Sequence, residues 1–254
     1  MATSASVRFD IAGDRRFFFF LAVAMTVTLI AGFVMQFAMV RSTFAAPLII
    51  HAHAFVFFGW TFFYLLQNTL VFTGNVALHR RIGWIGVGWA SVMVVLGITV
   101  TLRLVREGRV PPFFRPLYFV VMDSLTVLCF AGLFAAGLAM RRQSDWHRRL
   151  MACAMAGLTA PAFGRLLPGP LLIPWAAWAV FAGVMLFPLA GAIHDQRSAG
   201  RVHPAWWWGM GVLLANQLLM EVAATSAMAL SLYGALVEGT VGAQIPPLAY
   251  PPFP

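Results

Sequence analysis

Long apolar runs alternate with short polar connections along the chain, and the connections carry most of the arginines. About 20 consecutive apolar residues suffice to cross a bilayer as a helix. Seven segments qualify: 16–40, 47–73, 81–103, 116–140, 147–166, 170–193 and 204–235. Pro47, Pro116, Pro170 and Pro204 fit first-turn positions, where the missing N–H costs nothing. The connections are short, which predicts antiparallel neighbours. The fifth segment contains Pro161 and ends in Arg165 and a Pro-Gly-Pro stretch, and the tail QIPPLAYPPFP reads as non-helical. The pattern predicts an all-α, polytopic transmembrane helix bundle of about seven helices in one domain. A segment 1–15 precedes the first helix and a proline-rich tail, 241–254, follows the last.

Helical spacing says which way the polar groups point. At about 100° per residue, His51 and His53 sit about 200° apart and cannot share a face. Trp60, Tyr64 and Gln67 fall within about 40° of His53, and Asn68 lies about 60° away, so the polar groups of the second segment form one stripe. Such a stripe faces protein or water rather than lipid. Gln217, Glu221 and Thr225 repeat every four residues as a ridge on the last segment, and Asp123 is set within YFVVMDSLTVL. On a continuous fifth helix, His147 and Arg165 would share a face about 27 Å apart. Gln67, Asn68, Gln217 and Thr225 read as interhelical hydrogen-bonding groups.

Composition sharpens this picture. Of the 254 residues 61% are hydrophobic and 10% charged, against about 25% charged in a typical soluble domain. This is the composition of an integral membrane protein. All 17 basic residues are arginine, which excludes a retinal Schiff base and hints at a GC-rich bacterial genome. The two cysteines lie in apolar runs and suggest neither a disulfide framework nor a thiolate metal site. The +9 net charge reads as topology signalling, not nucleic-acid binding. With the N-terminus in the cytoplasm, that side takes Arg8, Arg15, Arg16, Arg80, Arg81, Arg141, Arg142, Arg148, Arg149, Arg197 and Arg201. The outer side takes Arg41, Arg103, Arg106, Arg109, Arg115 and Arg165. The bias predicts a multi-pass protein of a bacterial inner membrane with a cytoplasmic N-terminus, and the run Arg103–Arg115 opposes it. Trp206–Trp208 reads as an interfacial belt, and His194 and His203 as solvated flanks of the loop HDQRSAGRVH. The first apolar run is longer than a signal-peptide core and reads as a retained helix.

One string occurs twice. ALHRRIGW opens the third segment and DWHRRLMA the fifth, each with His-Arg-Arg followed by an aliphatic residue. Segments two-three and four-five therefore read as parallel copies of one hairpin. The residues His51 or His53, Leu78–Gly83, Asp145–Met151 and Arg165 resemble those of the bacterial membrane proteins grouped as domain-of-unknown-function family 2306. The resemblance covers about 51–165, implies architecture and carries no activity.

Three chemistries fit these residues. His79 and His147 are expected at one level on different helices, where each first-turn position disfavours imidazolium. As a bis-imidazole pair they would hold b-type haem, with Arg80 and Arg148 facing its propionates. His51, His53, Asp123 and Glu221 would instead make a transition-metal site, with Asp123 and Glu221 as its reactive carboxylates. A quinone suits the face shared by His53, Trp60 and Tyr64. The principal expectation is a redox- or metal-linked protein working with haem, a quinone or a respiratory complex. The alternative is a proton-coupled transporter, proton relay or assembly factor without a cofactor, since buried carboxylates and histidines are a relay's usual parts. Against transport stands the lack of an inverted repeat. No soluble catalytic signature is present.

Overall fold

The structure is a computed structural model that describes residues 11–39 and 45–252. Among these it contains ten α-helices and no strand. They are α1 (Ile11–Ala38), α2 (Leu48–Phe72), α3 (Val76–Gly83), α4 (Ile85–Arg106), α5 (Pro116–Ala139), α6 (Ser144–Gly157), α7 (Ala160–Leu166), α8 (Ala176–Ala199), α9 (Pro204–Ala223) and α10 (Ala227–Val237). Five of them, α1, α2, α4, α5 and α8, are long and apolar enough to cross a membrane, and α9 with α10, bent by 74°, passes the same test only as a pair, as a broken span or a re-entrant loop. Large apolar side chains cover the outside, with Phe55 76% and Leu186 60% exposed. In water such a surface would drive association; hydrocarbon accommodates it.

The predicted all-helical bundle is present, with fewer unbroken spans than seven. The fifth predicted segment is two helices, α6 and α7, parted at Leu158–Thr159. The buried Thr159 hydroxyl donates back to the Ala156 carbonyl there (2.6 Å), and Pro161 occupies the first turn of α7. His147 and Arg165 consequently lie on different helices, and the single-helix spacing between them does not apply. The short α3 precedes the third span, and α8 starts at Ala176 after a 3-10 turn, Gly169–Leu172, that holds Pro170. Pro116 and Pro204 open their helices as expected, whereas Pro47 precedes α2. Arg8 and Arg41 lie outside the described residues.

α6 is the hub. It packs against α1, α5, α8 and α9, and every residue from Ala152 to Gly157 is buried. Small side chains make this possible, because neighbouring backbones can approach closely. At Gly209 of α9 a Cβ would fall 2.8 Å from the Cβ of Cys153, and at Gly32 of α1 it would fall 2.7 Å from the Cα of Ala162. The buried face of α2 is the predicted stripe: Trp60, Thr61, Tyr64, Gln67 and Leu70. Among the described residues the tail is not helical beyond the 3-10 turn Val241–Gln244. It docks on the bundle, where the Leu117 N–H donates to the Pro247 carbonyl (3.1 Å).

Candidate functional site

Three successive residues of α6 fan out to four neighbouring helices, as steps of about 100° require. His147 turns to α5 and α3, Arg148 to α1, and Arg149 to α8. Arg149 is fully buried and meets the fully buried Asp195 bidentately, with Nε to Oδ2 at 2.8 Å and Nη2 to Oδ1 at 2.6 Å. Asp195 also accepts the backbone N–H of His203 (3.0 Å), which fixes the start of α9. Arg148 joins buried Asp14 of α1 and Asp145 of its own helix. The His194 Nε2 meets Asp14 Oδ1 at 3.0 Å, and the ring stacks on Phe17 with centroids 4.0 Å apart. His194 and His203, read from sequence as solvated flanks, are thus structural partners of buried aspartates. His203 caps α9 by accepting the Ala205 N–H at Nδ1 (3.1 Å). Paired charges of this kind tolerate burial where isolated ones do not.

The two His-Arg-Arg strings differ in use. Arg80 and Arg81 are exposed, while His79 and His147 meet edge-to-face with ring centroids 6.2 Å apart. Both close the first turn of their helices, donating their backbone N–H to Asn75 and Gln143. His147 Nδ1 donates to the Gly137 carbonyl (2.8 Å). The Gln67 amide, oriented to satisfy both its ends, donates to His79 Nδ1 (2.6 Å) and accepts from the Gly83 N–H (3.2 Å). That bond leaves the ring proton of neutral His79 on Nε2, while His147 keeps its Nε2 lone pair. Burial lowers the pKa of both imidazoles, and for His79 the neighbouring His147 and Arg80 lower it further.

A pH dependence follows. The unfolded chain takes up protons near the ordinary histidine value of 6.5, and the folded chain takes them up at lower pH. Stability from this pair is therefore complete above about 6.5 and is lost as the pH falls below it. Thermal melting in detergent is expected to drop between about pH 7.5 and 5, and to drop less in a His79→Asn/His147→Asn variant. Equal slopes would show that other groups set the acid limb.

In the other half of the bundle two carboxyls stand apart. Glu221, the last acidic group before the α9–α10 bend, accepts at Oε1 from the Tyr118 hydroxyl (3.0 Å) and Gln217 Nε2 (3.3 Å). Gln217 also donates to the Tyr118 oxygen (3.0 Å). Asp123 Oδ2 lies 3.3 Å from the Thr101 hydroxyl, which also lies 3.0 Å from the Gly97 carbonyl. One hydroxyl proton cannot serve both acceptors fully. Among the described residues neither carboxyl takes part in an ion pair. Arg165 donates to the Pro161 carbonyl (2.7 Å) and lies over the Phe33 ring. Its charge bears on both Asp123 and His53 without an ion pair to Asp123. His53 stacks on Phe57 (4.2 Å), and its Nδ1 is buried without a hydrogen-bond partner. His51 is exposed.

The structure thus brings His79 to His147, and groups Glu221 with Tyr118 and Gln217 instead of with His53 and Asp123. Among the described residues, no three of His, Cys, Asp and Glu stand together as metal ligands. A small cavity of about 50 Å³, lined in part by Thr126, Asn216 and Gln217, adjoins the Glu221 group. That is room for one or two waters, at about 30 Å³ each. Sequence reasoning missed Asp14, Asp195, His194 and Tyr118. Asp14 and Asp195 lie near helix ends, where a carboxylate normally meets water. No protein-family model, curated protein or solved structure matches the chain.

Proposed function

We propose that this chain is a multi-pass inner-membrane protein that takes up protons at intramembrane carboxyls and passes them through the bundle. The observation that carries the reading is Glu221, whose hydrogen-bond partners among the described residues are neutral donors. Carboxyls at bilayer depth persist when protonated, paired or hydrated. Both donors converge on Oε1, so a proton on this group sits on Oε2, facing no donor. Glu221 also adjoins a broken helix, and discontinuous helices at membrane depth commonly line polar paths. The water-sized cavity beside Gln217 and the donor–acceptor pair His79–His147 supply further proton-labile steps toward the arginine-rich end. On the arginine bias, that end faces the cytoplasm.

A second reading is favoured by one observation, the 6.2 Å separation of the two imidazole rings. With His147 Nδ1 tied to a backbone carbonyl, as in many metal-ligating histidines, the pair would hold haem iron or a single transition-metal ion. His79 would then need its proton on Nδ1 and the Gln67 amide turned over. Arg148, the expected propionate partner, is already engaged by Asp14 and Asp145. The cavity near Gln217 is too small for a quinone ring, since ligand pockets run to about 300 Å³ or more.

A hydrophobic carbodiimide distinguishes these readings, because it reacts with protonated carboxyls in apolar surroundings. Mass spectrometry of the treated protein is expected to place the adduct on Glu221, with Asp123 as a second target and paired Asp195 unlabelled. An unlabelled Glu221, together with a reducible Soret band in the purified protein, would replace the proton reading with the haem one.

A further inference from the structure

The arginines between Arg103 and Arg115 run against the charge bias of the rest of the chain, and the proposed proton path does not use them. The structure gathers Arg103 and Arg106 with Glu107 at an open recess of about 710 Å³, between the end of α4 and the segment after α10. Thr99, Leu102, Leu236 and Thr240 contribute to its walls. The back of the recess is fixed. Gly242 lies so close to the Val105 carbonyl that no Cβ would fit. Glu107 offsets only part of the charge: Arg103 Nε donates to it at 2.6 Å and Arg109 approaches at 3.7 Å. Among the lining residues Arg103 and Arg106 against Glu107 leave one net positive charge, and Arg109, beside Glu107, adds a second next to the recess.

The second half of the argument lies on the flank of α4. Val92, Val95, Thr99, Leu102 and Arg106 follow one another at spacings of three and four, so they share a face. Val92 is 50% and Val95 68% exposed, and Leu232 on α10 is 65% exposed. A basic recess therefore opens onto the exposed apolar flank of α4, a helix long and apolar enough to cross a membrane. A soluble anion would use only the mouth. An amphiphile with a phosphate head and an acyl chain would use both. Arginine suits the head, since its planar fork matches phosphate oxygens.

We infer that this recess binds the phosphate headgroup of an anionic glycerophospholipid, with an acyl chain lying along α4. The site is independent of the proton-path reading. Native mass spectrometry of the full-length protein, with phosphatidylglycerol or phosphatidylcholine added to the detergent, tests it. The wild type is expected to retain one phosphatidylglycerol in preference to phosphatidylcholine. Arg103→Gln/Arg106→Gln should lower retention by at least about fivefold, as loss of charge-assisted phosphate contacts implies. Arg80→Gln/Arg81→Gln, at the other end of the bundle, should leave it unchanged. Arg103→Lys/Arg106→Lys should recover part of the binding, which separates lost charge from a lost fold. Equal retention by wild type and the Arg103→Gln/Arg106→Gln protein would overturn the inference. So would arginine-dependent binding of glycerol 3-phosphate without retention of the lipid, which would make the site one for a soluble phosphate.

Discussion

Asp195→Ala is expected to destabilise the protein by about 3–5 kcal/mol, because it takes the bidentate carboxylate away from a buried guanidinium. Arg149 and Asp195 are both fully buried and doubly bonded to one another. Removing the carboxylate takes away both of these bonds, while the Asp145 carbonyl, the more distant Asp145 side chain and the Phe18 ring stay beside Arg149. It also frees the His203 N–H that fixes the start of α9. Asp145→Ala is the matched control. That side chain is 43% exposed, so its loss should cost on the order of 1 kcal/mol or less. Replacing both members of the buried pair, as Arg149→Met/Asp195→Leu, should recover much of the loss, since an apolar pair leaves no unpaired charge. Reversible unfolding in mixed detergent measures all three. If Asp195→Ala unfolds within about 1 kcal/mol of the wild type, water reaches Arg149 and the pair does not hold α8 to α6.

Glu221→Gln is expected to lower proton flux through reconstituted vesicles by at least about tenfold, a conservative bound beside the roughly 10²–10⁴-fold that a positioned acid–base group contributes to a proton transfer. Glutamine keeps the size of the side chain and can still accept from Tyr118 and Gln217, so the α5–α9 contact should persist. What it loses is the site for a proton. Tyr118→Phe removes one donor to Oε1 and leaves the carboxyl, so its flux should fall less than that of Glu221→Gln. Thermal melting of both variants near the wild-type value would locate the effect in proton handling. Undiminished flux in Glu221→Gln would end the carboxyl's claim to a role beyond packing.

The sequence exposed the parts of this protein that depend on local periodicity. The stripe on α2 was legible because its polar residues recur at helical spacing, and Trp60, Tyr64 and Gln67 are all buried as that spacing required. The meeting of His79 with His147 was legible from the repeated string and from short connections that return the chain to one level. The ionic cluster was not. Asp14 and Asp195 each find partners far away in sequence, 134 residues from Asp14 to Arg148 and 46 from Arg149 to Asp195. No local pattern marks which end-of-helix aspartate will be enclosed. The breaks were obscured for a different reason. Residues 204–235 carry one charged residue, Glu221, in a mostly apolar run, so hydropathy reads one span where Ala224–Ser226 turns the chain. The proposed convergence of His53, Asp123 and Glu221 failed because depth alone was known, and Glu221 turns instead to Tyr118 and Gln217.

The central place of α6 also bears on how the chain is made. α6 carries Asp145, Arg148 and Arg149 within its first turns, and it is not among the helices apolar enough to cross a membrane on their own. Its arginines need two carboxylates from opposite ends of the sequence. Asp14 is synthesised first, but Asp195 emerges only after the α6–α7 pair has left the ribosome. The pair would therefore have to wait at the membrane surface or within the insertion machinery until α8 arrives, and enter the bundle as a guest of helices made before and after it. The core of this protein is in that sense the last part to be seated.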